Sequence, residues 1–516
     1  MVRLRYNASQ PTAHMRAHGR QLHRVSSRRS PGTPPVASPG RTALTTALAA
    51  ALLSTGALRA APIVPEALPN PLIPGFHFPE SEATLTGWIT EMTRGTTAAT
   101  TPSAAEKIHL HGWGLWAALT LETAQIYEGQ RLRVFETWLT PDDLKEYPGL
   151  RSVGALSLLP QRRAPLRKID QLKEIDDDIV ELARAAARTG TPSGARVVGF
   201  VKYDPTAAEH IIRQELLNTA ALNTLLQGGA QQIPVFPATA LVVKPLFQVI
   251  KLKDLIDGRY YALKAWPGPP EIPQAVPPAQ WPGAVWIDVL EGGDGRGAID
   301  EPAAADGSTR SDSTTYPLSS LIHYRLSAVD AAVLNADKPG TDAGAGDFAI
   351  LVAMHVSSRE IARWTWQTFW WTPTPGDPHP PSSPAIASLR PDQLRGAARN
   401  YAMAQTYTML TPDQPHVRGE NVGAAVYAYN PWIEARFSPA ELPDSLPGLD
   451  PNGQPAGNNH GVQTNCMSCH AQATYNPNRL PTAPRFAGAR YVDLADPKFL
   501  GTLQVDFLWS IARHAK

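Results

Sequence analysis

The 516-residue chain has only two cysteines and almost no net charge, and it lacks any long apolar run after its N-terminal region. Two cysteines exclude a disulfide scaffold. The 47 basic and 46 acidic residues lack the basic excess of a typical nucleic-acid binder. No phosphate loop, Ser-His-Asp pattern or paired catalytic carboxylate can be identified. The hydrophobic share of 43% excludes a fully disordered chain, and the length favours several domains.

Residues 1–60 lack carboxylates altogether but contain nine arginines. Within this segment, residues 43–58 form an apolar span, which ends shortly before Ala60-Ala61-Pro62. A charged stretch, a short apolar stretch and small residues are typical of a secretory signal peptide, and the span is shorter than the roughly 20 residues of a membrane-spanning helix. We therefore predict a leader over residues 1–60 that is cleaved near Ala60 after general secretion to the periplasm. The alternative is an uncleaved leader that acts as a membrane anchor.

Cleavage would change the charge of the protein. Without residues 1–60, 38 basic and 46 acidic residues remain from the totals of 47 and 46, a formal charge of −8. An acidic protein is steered best towards a basic surface. We expect no nucleic-acid partner, and a partner protein with a basic docking surface would suit the exported chain.

Fifty prolines divide the exported part into short segments. Helical spacing predicts helices over residues 175–188 and 206–227, the second beginning with the capping pattern Thr206-x-x-Glu209. A further helical segment is expected over residues 390–410. Segments rich in Val, Ile and aromatic residues predict strands at 240–250, 259–266, 284–290, 321–328, 347–357 and 362–371.

These patterns predict the α+β class. We expect a mixed region over residues 62–430, with packing helices and a mainly antiparallel β core at about 230–371. A small, mostly α-helical region is expected over residues 431–516. Its last helix would span residues 496–514.

Both cysteines lie in Cys466-Met467-Ser468-Cys469-His470, which is the strongest chemical signal of the chain. This Cys-x-x-Cys-His spacing is that of covalent haem attachment. On a helical turn the two thiols share a face, so that both can meet the vinyl groups of one porphyrin edge while His470 is directed to the iron. We predict one haem c, with Cys466 and Cys469 as thioether anchors and His470 as proximal ligand. Residues 431–516 would then form a cytochrome c-like haem region, with the helix over residues 496–514 covering the haem edge, and the partner with a basic surface would be a redox partner protein. A thioredoxin-like pair and a structural zinc site are much less favoured, because their sequence context is missing.

No methionine follows His470, so the usual distal ligand of a small cytochrome c is absent from its usual place. A distal ligand would come from upstream, from His514 or from a residue such as Lys498, and an open distal position is the alternative. Met354 and His355 occupy adjacent, oppositely directed positions on an expected strand, and Met403 and Met409 lie on the helix expected over residues 390–410. Of these upstream groups, Met354 and Met403 are the candidates for the distal ligand. Each methionine is more often core filler than ligand.

Three weaker signals are interpreted as ordinary structural features. His109 and His111 could begin a metal site but suit a polar edge. The tryptophans at 364, 366, 370 and 371 could form a stacking platform for sugars, although alternating aromatic residues are more often core. Asp294 and Asp300 only loosely resemble a calcium loop.

With these residues in hand, the chain resembles large exported bacterial proteins of the cytochrome c family that carry one haem motif near the C-terminus. The resemblance rests on residues 459–465 running into the motif, on residues 233–244 (IPVFPATALVVK), and on residues 351–369 with their Met-His and Trp-x-Trp-x-Thr-Phe patterns. It implies haem binding and electron transfer in the periplasm, and no particular reaction.

The leading hypothesis is a periplasmic monohaem cytochrome that transfers single electrons, rather than a catalyst. The first alternative is a haem enzyme, peroxidase-like or oxidase-like, with an open distal site. The second is a haem-based sensor or binding module in which the β region recognises a ligand.

Overall fold

A computed structural model describes residues 63–94, 102–146, 197–270, 275–290, 310–337, 340–411, 424–435, 465–478 and 491–516. Residues 60–516 form one compact unit. Several sequence predictions lie outside the described residues: the leader at 1–60, the helix at 175–188, Asp294, Asp300 and the approach to the motif at 459–464.

The described helices are mostly short. In chain order they are α1 (Glu82–Arg94), α2 (Ala104–Thr120), α3 (Val134–Thr137), α4 (Pro141–Glu146), α5 (Pro205–Arg213), α6 (Thr219–Gln227), α7 (Ala328–Asp337), α8 (Pro384–Ser388), α9 (Pro431–Glu434), α10 (Cys466–His470) and α11 (Trp509–His514). Among these described helices, none is long and apolar enough to cross a membrane.

The strands include three long ones that form the centre of the fold. In chain order they are β1 (Glu122–Tyr127), β2 (Gln130–Arg133), β3 (Val197–Gly199), β4 (Lys202–Tyr203), β5 (Leu241–Ile250), β6 (Tyr260–Lys264), β7 (Ala284–Asp288), β8 (Thr315–Pro317), β9 (His323–Arg325), β10 (Phe348–Ser358), β11 (Thr365–Trp371), β12 (Tyr401–Thr406), β13 (Leu410–Thr411), β14 (Ala424–Ala425), β15 (Thr474–Tyr475) and β16 (Leu503–Gln504).

The central sheet has the order β12-β11-β10-β5-β3, with β4 also paired to β5 and β9 to β10. All these pairs are antiparallel, while β7 and β8 in a separate small sheet pair in parallel. The predicted α+β class with a mainly antiparallel β region is therefore confirmed. The finer expectation of a mostly helical haem region at the C-terminus is not confirmed, since its described residues combine the short helices α10 and α11 with the β15–β16 pair.

The register assigns the side chains of the central sheet to two faces. Met354, Phe369 and Met403 lie opposite one another on β10, β11 and β12, so they share one face. Helix α2 packs there, and its Trp116 ring stacks on Phe369 with centroids 4.3 Å apart. We call this the α2 face. His355 and Trp366 point to the opposite side, which we call the motif face because α10 packs on it.

The predicted strands are confirmed with ends that differ by up to about three residues, except that residues 321–328 form only the short β9 before α7 begins. The predicted helix at 206–227 is two helices. Asp204, not Thr206, is the cap of α5, because its side chain accepts from the backbone N–H groups of Thr206 and Ala207. A second cap, Asn218, begins α6, which ends at Gly228 as expected.

The helices predicted over 390–410 and 496–514 are wrong. Residues 401–406 form β12 in the sheet, where burial on both faces hides the period-two pattern. Residues 497–514 fold as a 3-10 turn, the strand β16 and the short helix α11. Left-handed backbone at Gly501, Asp506 and Phe507 interrupts a continuous helix there.

Candidate haem site

The motif forms its own short helix, α10, as the spacing predicts. Asn465 is its fully buried cap: its Oδ1 accepts from the Ser468 N–H at 3.0 Å. The Asn465 side-chain amide donates to the Val426 carbonyl at 2.8 Å, to the Thr408 carbonyl at 3.0 Å and to Thr406 Oγ1 at 3.1 Å. One side chain therefore both starts the helix and fixes it to the end of β12.

The two thiols lie on one side of this turn, surrounded by protein but partly accessible. Cys466 Sγ donates to the Ala428 carbonyl oxygen at 3.2 Å. Burial raises the pKa of both thiols, to about 12 for Cys469, and the carboxylate of Glu434 adds to this effect. Met467, between the cysteines, is 1% exposed and belongs to the hydrophobic core instead.

The imidazole of His470 is held in one orientation. Its Nδ1 lies 2.8 Å from the Phe507 carbonyl oxygen. Because a carbonyl only accepts, Nδ1 carries the hydrogen and Nε2 carries the lone pair. Burial lowers the pKa of His470 to about 3, so the ring is neutral at physiological pH. The Trp366 indole packs on the ring with centroids 4.2 Å apart.

The Phe507 carbonyl owes its position to a strained turn. Asp506 and Phe507 have φ angles of 45° and 67°, a left-handed conformation that costs a non-glycine residue energy. Asp506 is 2% exposed, and its carboxylate accepts from Arg359 Nε at 3.2 Å, from the Phe236 N–H at 3.0 Å and from Gln232 Nε2 at 3.3 Å. Sequence patterns missed this turn, because three distant segments create it.

A polar patch lies in front of the motif on the same face of the sheet. In β5 only Lys244 is partly exposed, and in β10 only His355 and the first residue, Phe348. Lys244 and His355 are register partners and so lie side by side. His355 lies on the same face of the sheet as Trp366, which packs on His470. Burial lowers the pKa of His470 most, and the charges of Lys244 and Arg513 add to this effect. We call Lys244, His355, Glu434 and Arg513 the motif patch.

The structure does not bring the two methionine candidates to His470. Met354 and Met403 lie on the α2 face, fully buried, with the sheet between them and the motif. Met403 is also not on a helix but on β12. Met409 lies nearer the motif, where its sulfur accepts from the Val492 N–H at 3.2 Å. Of the remaining candidates, His514 is buried in α11 and Lys498 pairs with Asp496 at 3.4 Å.

The residues behind the weaker sequence signals have structural roles. The tryptophans at 364, 366, 370 and 371 are all buried, as preferred for core residues. His109 and His111 lie on α2, and His111 contacts Tyr407 Oη at 2.6 Å and Glu360 Oε1 at 3.2 Å. Among the described residues there is no group of three or more His, Cys, Asp or Glu side chains that would bind a metal ion by themselves.

The donor set suits a haem better than a bare metal. It provides two thiols on one helical face, one neutral imidazole with Nε2 carrying the lone pair, and nearby cationic groups at Lys244 and Arg513 for the two carboxylates of a haem. Tyr429, beside Ala428, adds a buried hydroxyl with no hydrogen-bond partner among the described residues. No known family model, curated protein or solved structure shows a significant match to the chain.

Proposed function

We propose that this protein is an exported monohaem c-type cytochrome that transfers single electrons in the periplasm. The observation that carries the proposal is the combination of Cys466 and Cys469 on one turn with a neutral His470 held by the Phe507 carbonyl. Haem iron attached there supplies one-electron oxidation and reduction. Both thiols are free, as attachment requires.

Attachment is chemically balanced without an oxidant. Each thiol would add across one vinyl group of the porphyrin: a carbon–sulfur bond forms, the S–H bond breaks and its hydrogen goes to the neighbouring vinyl carbon. The helical turn keeps the sulfurs on one edge. The signal-like residues 1–60 support export to the compartment where such attachment takes place.

The protein's own residues then adjust the site. Phe507 accepts from Nδ1–H, which keeps Nε2 as the ligating nitrogen and fixes the ring plane. Trp366 packs on the ring and keeps water from that side. Burial of the site in the low-dielectric interior would favour the less charged state of a haem iron held there, and the motif patch adds charges of both signs nearby.

A haem enzyme is the second candidate, and one observation favours it. The motif patch is partly accessible and contains a His355–Glu434 pair with Nε2 and Oε1 2.9 Å apart, which could move a proton near a reacting molecule. Visible spectra of the reduced full-length protein with and without carbon monoxide distinguish the two. A six-coordinate low-spin spectrum unchanged by the gas supports the carrier, whereas rapid binding of the gas supports the enzyme.

A further inference from the structure

With Met354 and Met403 on the α2 face, a second axial ligand from the central sheet would come from another side chain, on the motif face. The described part of the sheet presents few candidates there. Around the register row of Lys244 and His355, the same-face positions on β11 and β12 are Thr368 and Ala404. Neither threonine nor alanine is a good ligand for haem iron.

His355 and Lys244 are the two remaining side chains of that row, and their chemistry separates them. A lysine binds iron only after it loses a proton, and its ordinary pKa is about 10.4. An imidazole has an ordinary pKa near 6.5 and offers a lone pair at neutral pH. A histidine therefore binds under conditions in which the ammonium is still protonated.

The Glu434 carboxylate holds His355 in a defined orientation. Glu434 Oε1 lies 2.9 Å from His355 Nε2. Because a carboxylate accepts, Nε2 donates its hydrogen to Glu434, and Nδ1 of His355 carries the lone pair. Helix α9 is in turn fixed to the sheet, because the Asn430 side chain donates to Thr368 Oγ1 at 2.7 Å and to the Phe369 carbonyl at 2.9 Å. A carboxylate that accepts from a histidine is the usual support of a metal-ligating imidazole.

From this register, accessibility and carboxylate contact we propose that His355 is the second axial ligand of the haem and that Glu434 is its positioning residue. The inference rests on the proposed haem attachment at Cys466 and Cys469. The haem iron would then have two histidine ligands, His470 oriented by the Phe507 carbonyl and His355 oriented by the Glu434 carboxylate. Lys244, beside His355, remains as a cation next to the haem.

The test uses the full chain, exported and matured in a bacterial host with a haem c attachment system. The variants are His355→Ala, Lys244→Ala and Glu434→Gln, with His323→Ala as a matched control. His323 is a partly buried histidine of the same sheet on β9, bonded through Nδ1 to the Leu321 carbonyl at 2.9 Å. Absorption and electron paramagnetic resonance spectra report the spin state of the iron.

We expect a low-spin spectrum for the unmodified protein, for His323→Ala and for Lys244→Ala. His355→Ala should be high-spin, bind carbon monoxide in the reduced form and return to low spin when imidazole is added, which also shows that the variant is folded. Glu434→Gln should stay low-spin with a higher midpoint potential, because the ligand loses basicity.

Two results overturn the ligand assignment while leaving the haem attachment intact: a low-spin His355→Ala protein, or an unmodified protein that is high-spin. If Lys244→Ala alone becomes high-spin, the ligand is Lys244. A chain without covalent haem before any substitution contradicts the proposed function itself.

Discussion

His470 donates its Nδ1–H to the carbonyl oxygen of Phe507 at 2.8 Å, although 37 residues separate the two in the chain. The acceptor sits in a left-handed turn that Asp506 holds through Arg359 and the Phe236 N–H. The orientation of the proposed proximal ligand thus depends on a buried ion pair outside the motif. A ligand supported in this way has a fixed tautomer and a more basic Nε2.

Replacing Asp506 with Ala should destabilise the protein strongly. The change leaves the guanidinium of Arg359, whose side chain is only 13% exposed, without its carboxylate partner. Breaking a buried ion pair costs about 3 to 5 kcal/mol. Denaturant unfolding of the purified chain measures the loss. Glu209→Ala is the control, since the side chains of Glu209 and Arg213 are 41% and 65% exposed and such a pair contributes at most about 1 kcal/mol. Equal effects of the two changes would contradict the role given to Asp506.

Asn465→Ala should weaken the start of α10 and its attachment to β12. The substitution removes the acceptor of the Ser468 N–H and leaves the buried Thr408 carbonyl and the partly buried Val426 carbonyl without this donor. We expect a loss of about 2 kcal/mol or more in the free energy of unfolding. Asn478→Ala, at an exposed position just after β15, should leave stability unchanged. A stable Asn465→Ala protein would show that the motif helix is held by other contacts.

The cap of α5 predicts a pH effect. Burial raises the pKa of Asp204 to about 6, above its ordinary value near 3.8, despite the hydrogen bonds it accepts from the Ala207 and Leu241 N–H groups. The folded state therefore binds more protons than the unfolded state between about pH 4 and 6, and stability from this group falls as pH rises through that window. Asp204→Asn should remove this contribution, so the stability difference between the two proteins should change between pH 4 and 6. A difference that is constant with pH would refute the raised pKa.

Two glycines test the packing around helices α1 and α2. A Cβ at Gly114 would clash with the Phe76 ring, whereas a Cβ at Gly87 in α1 would meet nothing within 4 Å. Gly114→Ala should cost about 1 to 3 kcal/mol through overpacking. Gly87→Ala should be neutral or stabilise by up to about 1 kcal/mol, because alanine has the higher helix propensity. Thermal unfolding of both variants compares the two sites, and a stabilised Gly114→Ala protein would contradict the packing of α2.

The parts of the fold that follow from local patterns could be predicted from the sequence. β5, β10 and β11 show long runs of β-branched and aromatic residues, and the Gly228 stop of α6 is a local signal. β12 could not be recognised, because its buried residues Tyr401, Ala402, Met403 and Ala404 give no period-two alternation and resemble a helix in composition.

The candidate site residues Cys466, Cys469 and His470 could be singled out from the sequence, because the Cys-x-x-Cys-His spacing is a local pattern. Their support could not, since Phe507, Asp506 and Arg359 meet only after the chain has folded. The same holds for His355: sequence placed Met354 and His355 on opposite sides of a strand, and only the sheet register shows which of them faces the motif.

Covalent haem is tested most directly by the mass of the purified chain under denaturing conditions, with and without the two thiols. We predict that the unmodified chain carries the mass of one haem and gives a haem-dependent peroxidase stain on a denaturing gel. The Cys466→Ala/Cys469→Ala double variant should lose both signals, while a Met467→Leu control keeps them. Covalent haem in the double variant, or none in the unmodified chain after maturation, would contradict the proposed attachment.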